Sequence, residues 1–410
     1  MYRFRSRHCR VMIRCSTVVH TAIALLAGSL LLLGTGCSSS KPSETTTDEP
    51  PAPSGPALSL LYTTPDARLV LHDARRATSR TLVAGATALG PRTVSPTGRH
   101  LAFTYATDDS SHLALLDLTN NRLQHVHAAG GTVTYSLAWH PDSRRDRLAF
   151  GHFRPTTDGD RGPGGIRIAT PEGTSRDVGC STVREVLHWL PSGTLATRTD
   201  EKLYGVSPDN CATQTSLDAR RMHLIHYSPD GAQLAYIHRE LKYDRDAGDY
   251  VPDSSLVLSD PQGSNTDPLF GHERRVRHLR WAPDGSELAF DAQIEQSGHR
   301  QIVVYDGTRP TFLTDPEGTT ADQIHPRWSP SGSRLAFTVR TSGSTYAAVR
   351  VKGQTRRLSL TKGPVWGWLD ERSVVVPGPD SVRVQSLSGT TRFTHPAPAT
   401  LLHVWQTPAS

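Results

Sequence analysis

Along this chain an aromatic or apolar strand runs again and again into a Pro/Asp/Gly-type turn and then into a second apolar strand, and that recurrence leaves few folds open. The clearest copies are Trp281-Ala282-Pro283-Asp284-Gly285 ahead of Leu288-Ala289-Phe290, Trp328-Ser329-Pro330-Ser331-Gly332 ahead of Leu335-Ala336-Phe337, and Tyr227-Ser228-Pro229-Asp230-Gly231 ahead of Leu234-Ala235-Tyr236. In the same register further copies stand at Val94-Ser95-Pro96, Trp139-His140-Pro141 and Trp189-Leu190-Pro191, with a degenerate one at Trp368-Leu369-Asp370. From Pro96 to Asp370 they are spaced by about 46 residues on average, near the period of a four-stranded propeller blade. Pro presets the backbone at the first turn corner and Asp or Gly tolerates the next, so each copy closes a hairpin.

A third strand with alternating apolar residues follows each hairpin, as in Leu256-Val257-Leu258 and Ile302-Val303-Val304-Tyr305, and a weaker fourth completes the unit. The two ends complement each other. Leu58-Ser59-Leu60-Leu61-Tyr62 matches a second strand that lacks a motif strand, and Leu401-Leu402-His403-Val404-Trp405 matches a motif strand that lacks a second. The C-terminal strand is therefore expected to supply the innermost strand of the first blade, which removes open sheet edges. The fold expected is all-β, an eight-bladed β-propeller over 57–410, with seven blades the alternative if the copy at Trp368 is not a separate blade.

These repeats resemble the PD40, or WD40-like, propellers of the TolB C-terminal-domain type. The resemblance covers essentially the whole region after the N-terminal segments; it departs from TolB in lacking an α/β domain ahead of the propeller and in blade number. What it implies is a fold, because propellers host binding proteins, peptidase gates and enzymes alike.

Residues 1–36 carry Arg3, Arg5, Arg7, Arg10 and Arg14 with no acid, then an apolar run from Thr21 to Leu33, the pattern of a secretory signal. It ends in Leu33-Gly34-Thr35-Gly36-Cys37, which resembles a bacterial lipobox and implies acylation at Cys37; Met12 is an alternative start. The stretch 37–56 is Ser, Thr, Pro, Glu and Asp with almost nothing apolar, so it reads as a flexible tether. The localisation expected is the extracytoplasmic face of the cell membrane, held by a lipid anchor.

The formal net charge of +6 includes the five signal arginines and falls to about +1 without them, so nothing in the overall charge argues for nucleic acid. Local charge is more telling. If each motif strand runs away from one face, the loops entering motif strands lie on that face, and three successive ones bring Arg220, Arg221 and His223, then His272, Arg274, Arg275, Arg277 and His278, then His325 and Arg327. With His226 and Arg280 these form a basic arc at the channel mouth, suited to an anionic envelope polymer or an acidic protein surface. The longest joining loops, from Gly151 to Gly165 and from His238 to Ser255, fall on the same face; the second carries acids that could instead neutralise the arc.

Other chemistries find little support. Asp244-x-Asp246-x-Gly248-Asp249 has oxygen-ligand spacing but lacks the rest of an EF-hand, and no HExxH or compact metal cluster occurs. There is no Gly-x-Ser-x-Gly elbow. The tryptophans at 139, 189, 281, 328, 368 and 405 hold one position per repeat and read as packing residues, Trp366 being the exception. Cys180 and Cys211 invite a disulfide in an oxidising compartment, but the repeat register sets them at opposite faces, so their pairing stays open. The expectation is a monomeric binding module with no cofactor and no enzymatic activity; the alternative is a hydrolase or lyase acting on a polysaccharide in the channel.

Overall fold

The computed structural model describes residues 57–155, 161–180, 185–245, 248–264, 266–270, 275–294, 297–313, 320–351, 354–396 and 400–406. The expected signal segment, Cys37 and the tether lie outside the described residues, as do Asp246, His272 and Arg274. The strands form eight four-stranded sheets. One sheet joins the C-terminal strand Thr400–Gln406 to Leu58–Thr63, Arg68–Asp73 and Thr78–Ala84, so the chain closes on its own first blade as expected. Calling that blade 1, the inner strands of blades 2 to 8 are Ala88–Val94, Thr134–Trp139, Glu185–Trp189, Met222–Tyr227, Arg277–Trp281, Asp322–Trp328 and Gly367–Asp370. The degenerate copy at Trp368 is a blade in its own right, which decides for eight over seven.

Each blade is apolar on both faces because each packs on two neighbours. Eight buried clusters result, one at every junction, and the cluster joining Leu60 and Val404 of blade 1 to Val375 and Val384 of blade 8 completes the ring. Phe103, Phe150, Phe290 and Phe337 of the Leu-Ala-Phe strands are fully buried in these junctions. Each contributes about 1.5–3 kcal/mol of transfer free energy.

The tryptophan series adds a directional link. The indole N–H of Trp139 donates to the Thr93 carbonyl, Trp189 to Ala138, Trp281 to His226, Trp328 to Arg280 and Trp368 to Arg327, at 2.8–3.2 Å. In each case the acceptor is the residue just before the aromatic position of the preceding blade, so packing is combined with a satisfied polar group. The packing role expected for the series is what the structure shows.

The turns explain the motif. In Ser228-Pro229-Asp230-Gly231 the Ser hydroxyl accepts the Gln233 N–H and the Asp carboxylate accepts the Ala232 N–H, while Gly231 takes φ +72°. A Cβ at Gly231 would lie 2.7 Å from the Trp189 carbonyl oxygen of the preceding blade, so the glycine is required for packing as well as for the turn.

Two expectations need correction. The segment from His238 to Ser255 is not a loose loop: Leu234–Asp244 and Asp249–Ser259 pair without a break from Leu234↔Ser259 to Asp244↔Asp249, forming an arm that continues the blade. Alternation carries on through the charged residues, and polar composition hid it. The second is the placement of the two cysteines at opposite faces, which leaves their pairing open. Cys180 and Cys211 form a disulfide with Cα atoms 5.5 Å apart, linking blades 3 and 4. The register argument assumed a full-length outer strand, but that strand is only Ser175–Asp177. Three residues rise about 10 Å, and Val178 then bonds back to Ile166, bringing Cys180 inward to the blade junction where Cys211 packs.

Candidate functional site

The inner strands of blades 5, 6 and 7 share an irregularity that arranges the channel. Between His223 and His226, Arg277 and Arg280, and Ile324 and Arg327, three steps along the inner strand face two along its partner, a one-residue bulge in each. Inside the bulges Leu224, His278 and His325 take positive φ of 48°, 54° and 61°. Three non-glycine residues in this sparsely populated region cost about 1–3 kcal/mol each, and bulges of this kind re-aim side chains.

The upper bulge residues meet over one carboxylate. The His278 and His325 rings lie 4.1 Å apart between centroids. Asp291, fully buried on the second strand of blade 6, accepts the Nδ1–H of His278 and the Nε–H of Arg300, and the backbone N–H of His325 approaches the same carboxylate. Arg300 also donates to the Arg275 carbonyl, tying the rim to the channel wall. Burial, the neighbouring His278 and nearby arginines keep the His325 pKa low, against a smaller pull from Asp291.

Below this tier the residues just before the aromatic positions are His226, Arg280 and Arg327, on three consecutive blades. Two places before the aromatic positions of blades 8, 1 and 2 stand Trp366, His403 and Arg92. The Arg92 guanidinium lies 5.2 Å over the Trp366 ring, and Trp366 is 6.4 Å from the His403 ring. Arg92 is exposed to water and still loses basicity to desolvation, as befits a side chain in a wet channel walled by protein. Arg280 is lowered by desolvation alone. Desolvation, then Arg280 and Arg92, bring Arg327 down to about 10. Desolvation with a neighbouring arginine holds His226 and His403 down to about 4. No described carboxylate pairs with Arg92, which is exposed, or with the half-buried Arg280 and Arg327.

The expected arc therefore divides. At the rim Arg220 is paired with Asp218 at 2.6 Å and Arg221 faces Glu240 at 3.8 Å, so this part is neutralised. Arg275 and Arg277 are exposed, and His223 loses basicity to desolvation and to Arg239 and Arg198. Arg274 lies outside the described residues. His226, Arg280 and Arg327 lie close enough across the inner strands to affect one another's basicity, and His278 and His325 meet over Asp291. Asp291, Arg92, Trp366 and His403 were missed as site residues, although reading the repeat one column at a time, one and two places before each aromatic, exposes the basic set. On the same face a cavity of about 750 Å³ between blades 7 and 8 is lined by Arg340 and Lys362 among glycines, prolines and hydroxyls, with no acid. Among the described residues no group of three His, Cys, Asp or Glu side chains is placed to hold a metal ion.

The chain is an eight-bladed β-propeller. No protein-family model and no curated protein matches it. Solved structures do. It is similar to the dihydro-heme d1 dehydrogenase NirN in complex with DHE, at TM-score 0.52 and 17% identity over 89% of this chain and 78% of that one. It is similar to a puromycin-hydrolysing peptidase of Mycobacterium tuberculosis at TM-score 0.51 and 12% identity, over 76% of this chain but 53% of the peptidase. TolB from Acinetobacter baumannii is also among its structural neighbours, as the turn motifs led one to expect, at TM-score 0.42 and 14% identity over 86% and 82% of the two chains. At such identities the likeness is one of fold.

Proposed function

We propose that this chain is an extracytoplasmic lipoprotein, anchored through Cys37, whose propeller binds an anionic partner of the cell envelope, protein or polymer, on its loop-rich face. The observation that carries the reading is the cationic sector of that face: the exposed Arg275 and Arg277 above Arg92, Arg280 and Arg327, none of the last three met by a described acid. Guanidinium engages carboxylate and phosphate by paired hydrogen bonds, and weak hydration makes it suited to a half-desolvated wall. The basic signal, the lipobox-like ending and the tether support the anchored location. A polysaccharide hydrolase would call for paired carboxylates in the channel, whereas Asp291, the buried carboxylate beneath the His278 and His325 rings, is committed to His278 and Arg300.

The test is capture by the immobilised full chain of poly-glutamate, polyphosphate and neutral dextran, and of solubilised envelope extract, with Arg275→Glu/Arg277→Glu alongside. Binding of the anionic polymers that weakens with salt and drops in the variant at unchanged Tm is expected. Equal retention of dextran, or equal capture by the variant, would overturn the reading.

A further inference from the structure

The channel holds positive charge in a form that the free protein has no use for. Arg280 and Arg327 occupy equivalent positions on adjacent blades, and their backbones are pinned by the indole N–H groups of Trp328 and Trp368. Arg92 reaches the same space from blade 2 and rests on the face of Trp366, which steadies a guanidinium by cation–π attraction while its N–H edge remains open to hydrogen bonding. Desolvation acts on all three, and on Arg327 the charges of Arg280 and Arg92 add to it. His226 and His403, the titratable neighbours, are held neutral near pH 7 and so add hydrogen-bonding nitrogens without adding charge. Such an arrangement costs stability unless something supplies the missing negative charge.

We infer that the channel is a binding site for a small, multiply charged oxyanion, a polycarboxylate or a phosphate ester, clamped by Arg280 and Arg327 from one side and by Arg92 on Trp366 from the other. This deepens the binding reading above and rests on it, assigning the small charged group, free or as the end of a polymer, to the channel and the polymer's length to the rim. A multiply charged ligand is required because a single carboxylate would leave most of the charge unmet. The bulges on blades 6 and 7 are then the device that lets two neighbouring inner strands present arginine at one level.

The experiment follows the melting temperature of the full chain with inorganic tripolyphosphate, citrate or, as a single-charge control at matched ionic strength, acetate. One of the two polyanions raises Tm in a saturable way and acetate does not; which of the two binds more tightly separates phosphate from carboxylate chemistry. Arg327→Gln weakens that binding by about tenfold or more, the worth of one charge-assisted hydrogen bond. Without ligand, Arg327→Gln melts at or above the wild type, because an uncompensated charge has been removed. A polyanion shift no larger than with acetate, a shift retained in Arg280→Gln/Arg327→Gln, or an unliganded Arg327→Gln protein that melts lower than the wild type would each overturn the inference. Arg275→Glu/Arg277→Glu keeps the two readings apart: loss of polymer capture with small-anion binding intact supports the division between rim and channel, while polymer capture with no small-anion binding sinks the channel site alone.

Discussion

His226 and His403 show what one residue can report about the channel. Both are held at a pKa of about 4 by desolvation and by a neighbouring arginine, against an ordinary value of 6.5. In the unfolded chain they take up protons as pH falls below 6.5, while in the folded chain they resist until about pH 4. Stability is therefore complete above about pH 6.5 and is lost as pH falls towards 4, by up to about 3 kcal/mol for each histidine. Urea unfolding at pH 7 and pH 4.5 checks this: His226→Gln/His403→Gln should lose distinctly less between the two than the wild type, and an equal loss would place the pH dependence on other groups, such as His127, also lowered to about 4. Asp291 makes a second residue-scale case. Replacing it by Asn leaves the mostly buried Arg300 without its counter-charge, a loss of about 3–5 kcal/mol that should appear as a large fall in the urea midpoint with an unchanged slope. Asp291 carried a legible signal, since an acid directly after the buried Leu-Ala-Phe run needs a partner. The partners, His278 and Arg300, are separated from it along the chain and could be matched to it only in three dimensions.

At the scale of the strand and turn, the sequence was most readable where the interaction is local. Ser228, Asp230 and Gly231 bond within their own turn, so the hairpins could be placed from the chain alone. Bulges were not readable, because residues such as His278 and His325 give no sign of positive φ, and a one-residue slip changes which side chains face the channel. This explains why the basic arc was expected at the mouth and is found partly inside. The arm from Leu234 to Ser259 failed for the related reason that strand pairing depends on register, whereas charged composition reads as loop. The tryptophan position allows an ordered prediction. Trp189 is 3% exposed and donates to Ala138, whereas Trp281 is half-buried and donates to His226. Trp189→Ala should cost about 3–5 kcal/mol and Trp281→Ala less, measured by chemical denaturation of the pair; the reverse order would contradict the inter-blade packing described for blades 3 and 4.

For the whole molecule the decisive interaction is the one between its ends. Leu58–Thr63 has no inner partner until Thr400–Gln406 arrives, a contact across almost the full described chain that was legible because the two ends carry complementary halves of one repeat. Trp405 extends the lock past blade 1, donating its indole N–H to the Leu118 carbonyl of blade 2, and Leu402 and Val404 join the junctions on either side. A chain ended at residue 399 would lose the inner strand of blade 1, expose Leu60 and Leu61, now fully buried, and present an unpaired edge. Because each blade in a repeat array is stabilised chiefly by its neighbours, opening the ring weakens both junctions of blade 1 directly and the rest through them. The expected outcome is a truncated chain that aggregates or melts far below the wild type by size exclusion and thermal denaturation, with Trp405→Ala intermediate between the two. A monomeric truncated chain with wild-type Tm would show that the first three strands of blade 1 hold without closure, and that the ring is supported by its other junctions alone.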